Sequence, residues 1–387
     1  MSFVALKMLV GDRAKYLGII LGITFASLLI TQQSAIFVGL MTRTYGAITD
    51  LGQPDIWVMD PKVQFVDDIK PTQDTKLLRV RGIEGVEWAV PLYKGLLRAR
   101  LADGNFQSVN VIGLDDATLV GGPPEMVQGQ IADLRRADGI IVDLVGANDK
   151  LAKPPVVPGG GPKTPLAIGD VLEINDDRAV VVGISRNTRT FQSQPVVYTT
   201  YSRALTIAPQ ERKLLSFILV KAKPGQDVHV LCARIARTTG LAAYSRDDFK
   251  QLTIDYFLKY TGIPINFGMA VVLGFIVGTA IAGQTFYNFT ADNIRQFGAL
   301  KAMGTPNGAL LRMILLQAAL VGVIGYGLGV GAASAMGFAT RNTELAFRMP
   351  SQLLLVSAGA VGVICMLSAL LSIWKVMRLE PAIVFKG

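Results

Sequence analysis

Four runs without a charged residue break up this chain of 387 residues, and the pattern between them changes kind. No Asp, Glu, Lys or Arg falls from Tyr16 to Thr42, between Lys259 and Asp292, between Arg312 and Arg341, or from Pro350 to Trp374. A helix crosses the hydrocarbon core of a bilayer with about 20 apolar residues, so each run is long enough to span. Spans are therefore predicted at 16–42, 261–290, 312–340 and 350–374. The first is too long for a secretory apolar core, and no small-residue cleavage context follows it, so it reads as a retained span.

Three of the spans carry small residues four apart, a face that lets another helix approach closely. Gly18, Gly22 and Ala26 form it on the first, and Gly274, Gly278 and Ala282 on the second. On the third, Gly325 pairs with Gly329 and Gly327 with Gly331. A dinucleotide fingerprint would need a preceding strand and G-x-G-x-x-G spacing, which this glycine-rich span lacks. Thr31-Gln32-Gln33-Ser34 interrupts the first span with polar groups that are expected to face protein or water, or to mark its outer end.

Between the first two spans, over 43–260, charges are frequent and short alternating segments are separated by turn residues. Strands are predicted over 55–60, 93–101, 106–112, 140–143, 171–174, 179–184, 196–199 and 216–220, with a helix over 74–80. Ala102-Asp103-Gly104-Asn105 reads as a hairpin turn. A mixed α+β domain of this length supports its own core and two lobes, with the junction expected within 121–165.

The loop over 291–311, between the second and third spans, is short and basic. Within it Ile294, Phe297, Leu300 and Met303 recur at helical spacing, with Arg295, Gln296 and Lys301 off that stripe. Gly304-Thr305-Pro306-Asn307-Gly308 ends the helix. Such a helix can lie on a membrane interface or dock on a partner, its stripe entering a groove and its rim setting the register. At the other end of the chain, 1–15 is predicted as an interfacial amphipathic helix, with Phe3, Leu6, Leu9 and Val10 on one face. A short turn over 341–349 and a basic tail over 375–387 complete the plan.

Composition narrows the picture. Half the chain is hydrophobic, 51%, which fits a few spans plus a soluble domain. The net charge of +9 is accounted for by Lys and Arg flanking the spans, and no basic block interleaved with aromatics points to nucleic acid. The single histidine, His229, lies in an alternating segment, and Cys232 and Cys365 are isolated. No metal site, catalytic arrangement or cofactor is expected from them. Gly159-Gly160-Gly161-Pro162-Lys163-Thr164 lacks the Gly-Lys-[Ser/Thr] step into a helix that a phosphate loop needs. Lys7, Arg13, Lys15, Arg295, Lys301, Arg312, Lys375, Arg378 and Lys386 all fall on one side of the four spans, against Arg341 and Arg348 on the other. The positive-inside rule then puts both termini and the 291–311 loop in the cytoplasm and the α+β domain outside.

This organisation resembles the MacB/FtsX/LolC class of ABC-transporter permeases over nearly the whole chain, and in texture is similar to DevC-like permeases. The segment IRQFGALKAMG from Ile294 to Gly304 looks like that family's R-x-[EY]-[FAG]-x-L-[KR]-A-x-G segment, with Gln296 where many members carry glutamate. Gln317 through Gly329 resembles the glycine-rich third span, and Arg378-Leu379-Glu380-Pro381-Ala382 the family's close. The stretch from Gly85 to Asp115 resembles a MacB-type periplasmic core domain.

The resemblance implies an α-helical membrane protein with four transmembrane helices and a two-lobed α+β periplasmic domain inserted between helices 1 and 2. It implies a multi-pass protein of the bacterial inner membrane, a homodimer, and a non-catalytic permease subunit whose ATP is hydrolysed by a separate ATPase docked on Arg295, Gln296, Phe297, Leu300, Lys301 and Met303. A membrane-fusion adaptor and an outer-membrane channel are the further expected partners of a tripartite export pump. The alternative is an FtsX-like signal transmitter that activates a periplasmic partner without moving a substrate.

Overall fold

A computed structural model describes residues 2–11, 13–155, 161–209, 214–341 and 343–377. The close over 378–382 and the first two glycines of the Gly159–Gly161 run lie outside them. The chain divides into two compact units, one made of Met1–Leu40 with Gly262–Gly387 and the other of Met41–Thr261.

The helices and strands follow in chain order. They begin with α1 (Ser2–Gly11), α2 (Arg13–Thr44) and α3 (Gly46–Asp50), then β1 (Ile56–Met59), α4 (Thr75–Arg81), β2 (Val86–Arg100) and β3 (Phe106–Leu114). Next are β4 (Glu125–Gln128), β5 (Gly139–Asp143), α5 (Leu144–Asn148), β6 (Val171–Ile174), β7 (Asp177–Arg186), β8 (Val196–Thr200) and α6 (Tyr201–Ile207). The last group is β9 (Phe217–Ala222), α7 (Val228–Thr239), β10 (Ala242–Ser245), α8 (Arg246–Tyr260), α9 (Ile263–Asp292), α10 (Ile294–Ala302), α11 (Asn307–Ala339) and α12 (Ser351–Met377).

In the strand-rich unit β2 organises two halves. Its first part pairs with β9, in the sheet ordered β10-β1-β9-β2. Every residue of β1 is buried, because both faces of this sheet are covered. Ile56 and Val58 face Leu77, Val80, Leu231 and Ile235 of α4 and α7, while Trp57 and Met59 join Phe217, Leu219 and Phe249. The second part of β2 pairs with β3, and the pairings β3-β8-β5-β7-β6 return to β2. Six strands thus close a barrel, which removes its edges. Leu97, Ala99, Val109, Val111, Val142, Ile174, Val181 and Val197 are among the residues that fill the interior, from alternating positions of the strands. Asn175 and Asp176, at φ 52° and 69°, make the tight β6–β7 turn.

The two halves match the two-lobed α+β expectation, but they join within β2 rather than within 121–165, since β5, β6 and β7 all belong to the barrel. The alternating segment at His229 is the first turn of α7. Asp227 caps it by accepting from His229 N at 2.8 Å and Val230 N at 3.1 Å. His229 itself is exposed, with Nδ1 3.4 Å from Asp248. Cys232 lies buried on the same helix, and that burial pushes its thiol up to about 11.

Among the described residues four helices are long and apolar enough to cross a membrane: α2, α9, α11 and the 351–372 part of α12. Their shared core runs through Ile19, Ile23, Ala26, Phe286, Phe289, Met313, Val321 and Ile364.

Candidate docking groove of the helical unit

The loop between α9 and α11 is built as a short helix with defined ends. Asn293 closes α9 through a hydrogen bond from Nδ2 to Phe289 O, 2.8 Å. Gly304, at φ 88°, ends α10 in the left-handed conformation, and Thr305 N returns to Leu300 O at 3.1 Å. Pro306 then directs the chain into α11.

The side chains of α10 divide differently from the sequence expectation. Phe297 is fully buried and packs with the core that holds Phe286, Phe289, Leu310 and Met313. Gly298 is buried beside it, and Leu300 is half-buried against the same core. Phe297 therefore cannot be a knob inserted into a partner. It anchors the helix, because turning a phenyl ring into the bundle removes more apolar surface from water than any other choice on α10. Arg295, Gln296 and Met303 are exposed, Met303 by 74%, and Lys301 is half-exposed.

Beside α10 lies an open groove of about 700 Å³ whose second wall is α1. Lys7 and Met8 line it from α1, Asp292 from the end of α9, and Gln296, Leu300 and Met303 from α10. The floor is apolar and the edges are polar. Ala5 and Leu9 of α1 are fully buried in the bundle core, whereas Phe3 and Val10 are exposed. Of the face predicted from Phe3, Leu6, Leu9 and Val10, Leu9 is buried while Phe3 and Val10 are exposed, so the buried side is centred on the i, i+4 pair Ala5–Leu9. Gln317 of α11, itself buried, holds α1 in place by donating from Nε2 to Ala5 O. Lys15 and Asp292 form an ion pair that joins the start of α2 to the end of α9. With Asp292 so engaged, exposed Lys7, Arg13, Arg295 and Arg312 leave this end of the unit basic.

Residues 16–238 match the MacB-like periplasmic core domain, and residues 268–381 match the FtsX-like permease C-terminal region. The chain belongs to the MacB/FtsX-type permease family. An uncharacterized ABC transporter permease of Methanocaldococcus jannaschii is 23% identical over 43% of this chain and 42% of its own. One of Mycobacterium tuberculosis is 22% identical over 57% of this chain and 58% of its own. The chain thus spans about half the length of the curated relatives it matches. The periplasmic region of MacB from Actinobacillus actinomycetemcomitans aligns at TM-score 0.37 and 15% identity, covering 55% of this chain and 96% of that one.

In this multi-pass membrane permease two contacts mark the depth of the bundle. One is the Lys15–Asp292 pair, and the other is the bond from Arg348 N to Ala35 O, 3.0 Å. Along α2 the interval from Lys15 to Ala35 rises about 30 Å at 1.5 Å per residue, the thickness of a hydrocarbon core. Charged groups thus sit at both edges of an uncharged slab.

Six of the glycines singled out in the sequence stand at helix crossings on α2. A Cβ on Gly22 would meet Ile281 Cγ2 at 2.6 Å, and one on Gly278 would collide with Ala26 Cβ. Gly274 faces Leu29 Cβ at 3.2 Å, and Gly18 is in ordinary contact with Thr285 at 3.7 Å. Gly325 abuts Ile23 Cγ2 at 2.7 Å, and Gly329 abuts Leu28 N at 2.8 Å. The span α2 is thereby held between α9 and α11 at close approach. Gly327 and Gly331, the second pair on α11, have open space around them.

Proposed function

We propose that this permease is the membrane subunit of an ABC-type export or mechanotransmission complex, and that a separate ATPase docks in the groove between α1 and α10. The observation that carries the proposal is the groove itself, with Leu300, Met8 and Met303 offering apolar contact and Lys7 a basic edge, and with exposed Arg295 on the same helix as its α10 wall. Its basic end is the cytoplasmic one by the positive-inside rule, which puts the strand-rich unit in the periplasm. ATP-driven closure of the ATPase would move α10, and α10 is bonded through Phe297 to the same core as the spans. A second copy of the chain, a periplasmic adaptor and an outer-membrane channel complete the assembly on this reading, and the protein belongs in the bacterial inner membrane.

Co-purification from native membranes tests the docking. Met303→Asp combined with Arg295→Glu is expected to lower the ATPase recovered with the permease at least tenfold while the permease remains membrane-inserted. Undiminished ATPase recovery would overturn the assignment of the groove.

A further inference from the structure

Between α11 and α12 runs a groove of about 400 Å³ whose lining is apolar except for Tyr326 and Cys365. Ala318, Val361 and Cys365 are buried in its floor, while Leu315, Val323 and Met366 stand exposed along its rim. Gly362 lines it from α12, and a Cβ there would meet nothing within 4 Å. Tyr326 closes one end, its hydroxyl donating to Leu354 O at 2.7 Å. From Leu315 to Tyr326 the groove follows α11 for about 16 Å at 1.5 Å per residue. One leaflet of hydrocarbon is about 15 Å deep. Arg312 stands at the other end, on the same face of α11, since Arg312, Leu315, Ala319, Gly322 and Tyr326 follow helical spacing. It is exposed, and its guanidinium makes no ion pair or hydrogen bond among the described residues.

We propose that this groove holds an acyl chain of one anionic phospholipid, from the leaflet on the side of α10, with its phosphate on Arg312. The walls offer no charge and the Tyr326 hydroxyl already has its partner, so nothing there favours water. An unfilled slot forfeits the contacts of its walls, and hydrocarbon is what the bilayer supplies at that depth. The length fits a chain that starts at the headgroup level and ends near the midplane. Spread over that length, the volume gives a cross-section of about 25 Å², less than a helix about 10 Å across would need. The charge fits as well. A guanidinium pairs with a phosphate through two parallel N–H bonds, and basic groups at a membrane edge favour anionic headgroups.

Native mass spectrometry of the full-length permease in mild detergent, offered phosphatidylglycerol or phosphatidylcholine of equal chain length, tests this. The wild type is expected to retain phosphatidylglycerol about fivefold more readily, the worth of one arginine beside an anionic headgroup. Arg312→Gln should remove that preference, Arg312→Lys should keep it, and Arg295→Gln, exposed on α10, should leave it unchanged. Gly362→Leu fills the groove and should lower retention of both lipids about tenfold, by displacing about two methylenes of chain. Equal retention of the two lipids by the wild type, a preference that survives Arg312→Gln, or undiminished retention by Gly362→Leu would overturn the site. A second measurement does not depend on the folding of Gly362→Leu. In phosphatidylcholine vesicles containing brominated phosphatidylglycerol, Leu315→Trp should be quenched more than Leu370→Trp, which is exposed on α12 outside the groove. Arg312→Gln should abolish that excess, and equal quenching of the two tryptophans would also overturn the site. Neither readout involves the ATPase, so the lipid site and the docking groove stand or fall separately.

Discussion

Gln317 Nε2 donates to Ala5 O at 2.7 Å, joining residues 312 positions apart. Gln317 is fully buried, and a buried amide is stable in an apolar core only where it finds a partner. The partner here is a backbone carbonyl of α1, so the helix that forms one wall of the groove is tied to the span that follows α10. Gln317→Leu keeps the volume and removes the bond. The bundle should then retain its melting temperature within a few degrees, while Ala5→Cys becomes labelled by a water-soluble maleimide about tenfold faster. Unaltered labelling would mean that packing of Leu9 alone holds α1.

Phe297 and Met303 sit on one short helix and should respond in opposite ways. Truncating a buried phenylalanine costs about 3–5 kcal/mol, so Phe297→Ala should lower the unfolding midpoint of the detergent-solubilised permease markedly. Met303→Ala at an exposed site should leave stability within about 0.5 kcal/mol and act on ATPase recovery instead. Equal stability losses would show that Met303 is packed in the membrane-bound protein.

The spans were legible because an uncharged run longer than 20 residues has few alternatives. Strands such as β5 and β6 were legible because turn residues bracket short apolar runs. The closure of the barrel was not, since it depends on Ala99 meeting Ile174 across 75 positions, a pairing that no local pattern records. The helix α7 was not legible from its start, where Val228 and Val230 alternate with polar neighbours, while the deciding contact is the cap from Asp227. The orientation of α10 was hidden for a related reason. Over nine residues the stripe of Ile294, Phe297 and Leu300 is visible, but whether it faces the bundle or a partner is settled by where α9 and α11 enter the core.

The paired glycines of α11 give a contrast within one helix. A side chain at Gly329 would press on Ser27 Cβ and on the backbone of α2, and the backbone cannot yield as a flexible side chain can. Gly329→Val is therefore expected to destabilise by about 1–3 kcal/mol, the range for overpacking a close contact. Gly327→Val, with nothing within 4 Å, should be within about 0.5 kcal/mol of wild type. Thermal unfolding of the two variants in the same detergent measures the difference, and equal midpoints would mean that α2 and α11 separate freely.

Asp50 offers a pH-dependent reading of the strand-rich unit. Its carboxylate accepts from Thr188 N at 2.8 Å and Thr188 Oγ1 at 2.7 Å, anchoring the end of α3 to the loop after β7. Burial nevertheless pushes its pKa above the ordinary carboxylate value, outweighing the lowering from the Thr188 bonds. The folded state thus holds the proton to a higher pH than the unfolded chain. Stability from this group is greatest below the unfolded pKa and is lost as pH rises through the folded one, at no more than about 1.4 kcal/mol per pH unit. Asp50→Asn abolishes that titration while leaving Asp143 and Asp170 to titrate as before. The stability of wild type relative to Asp50→Asn should therefore increase as pH falls from 7 towards 4, measured by chemical denaturation at each pH. A difference that stays flat over that range would show that Asp50 is solvated as freely in the folded protein as in the unfolded chain.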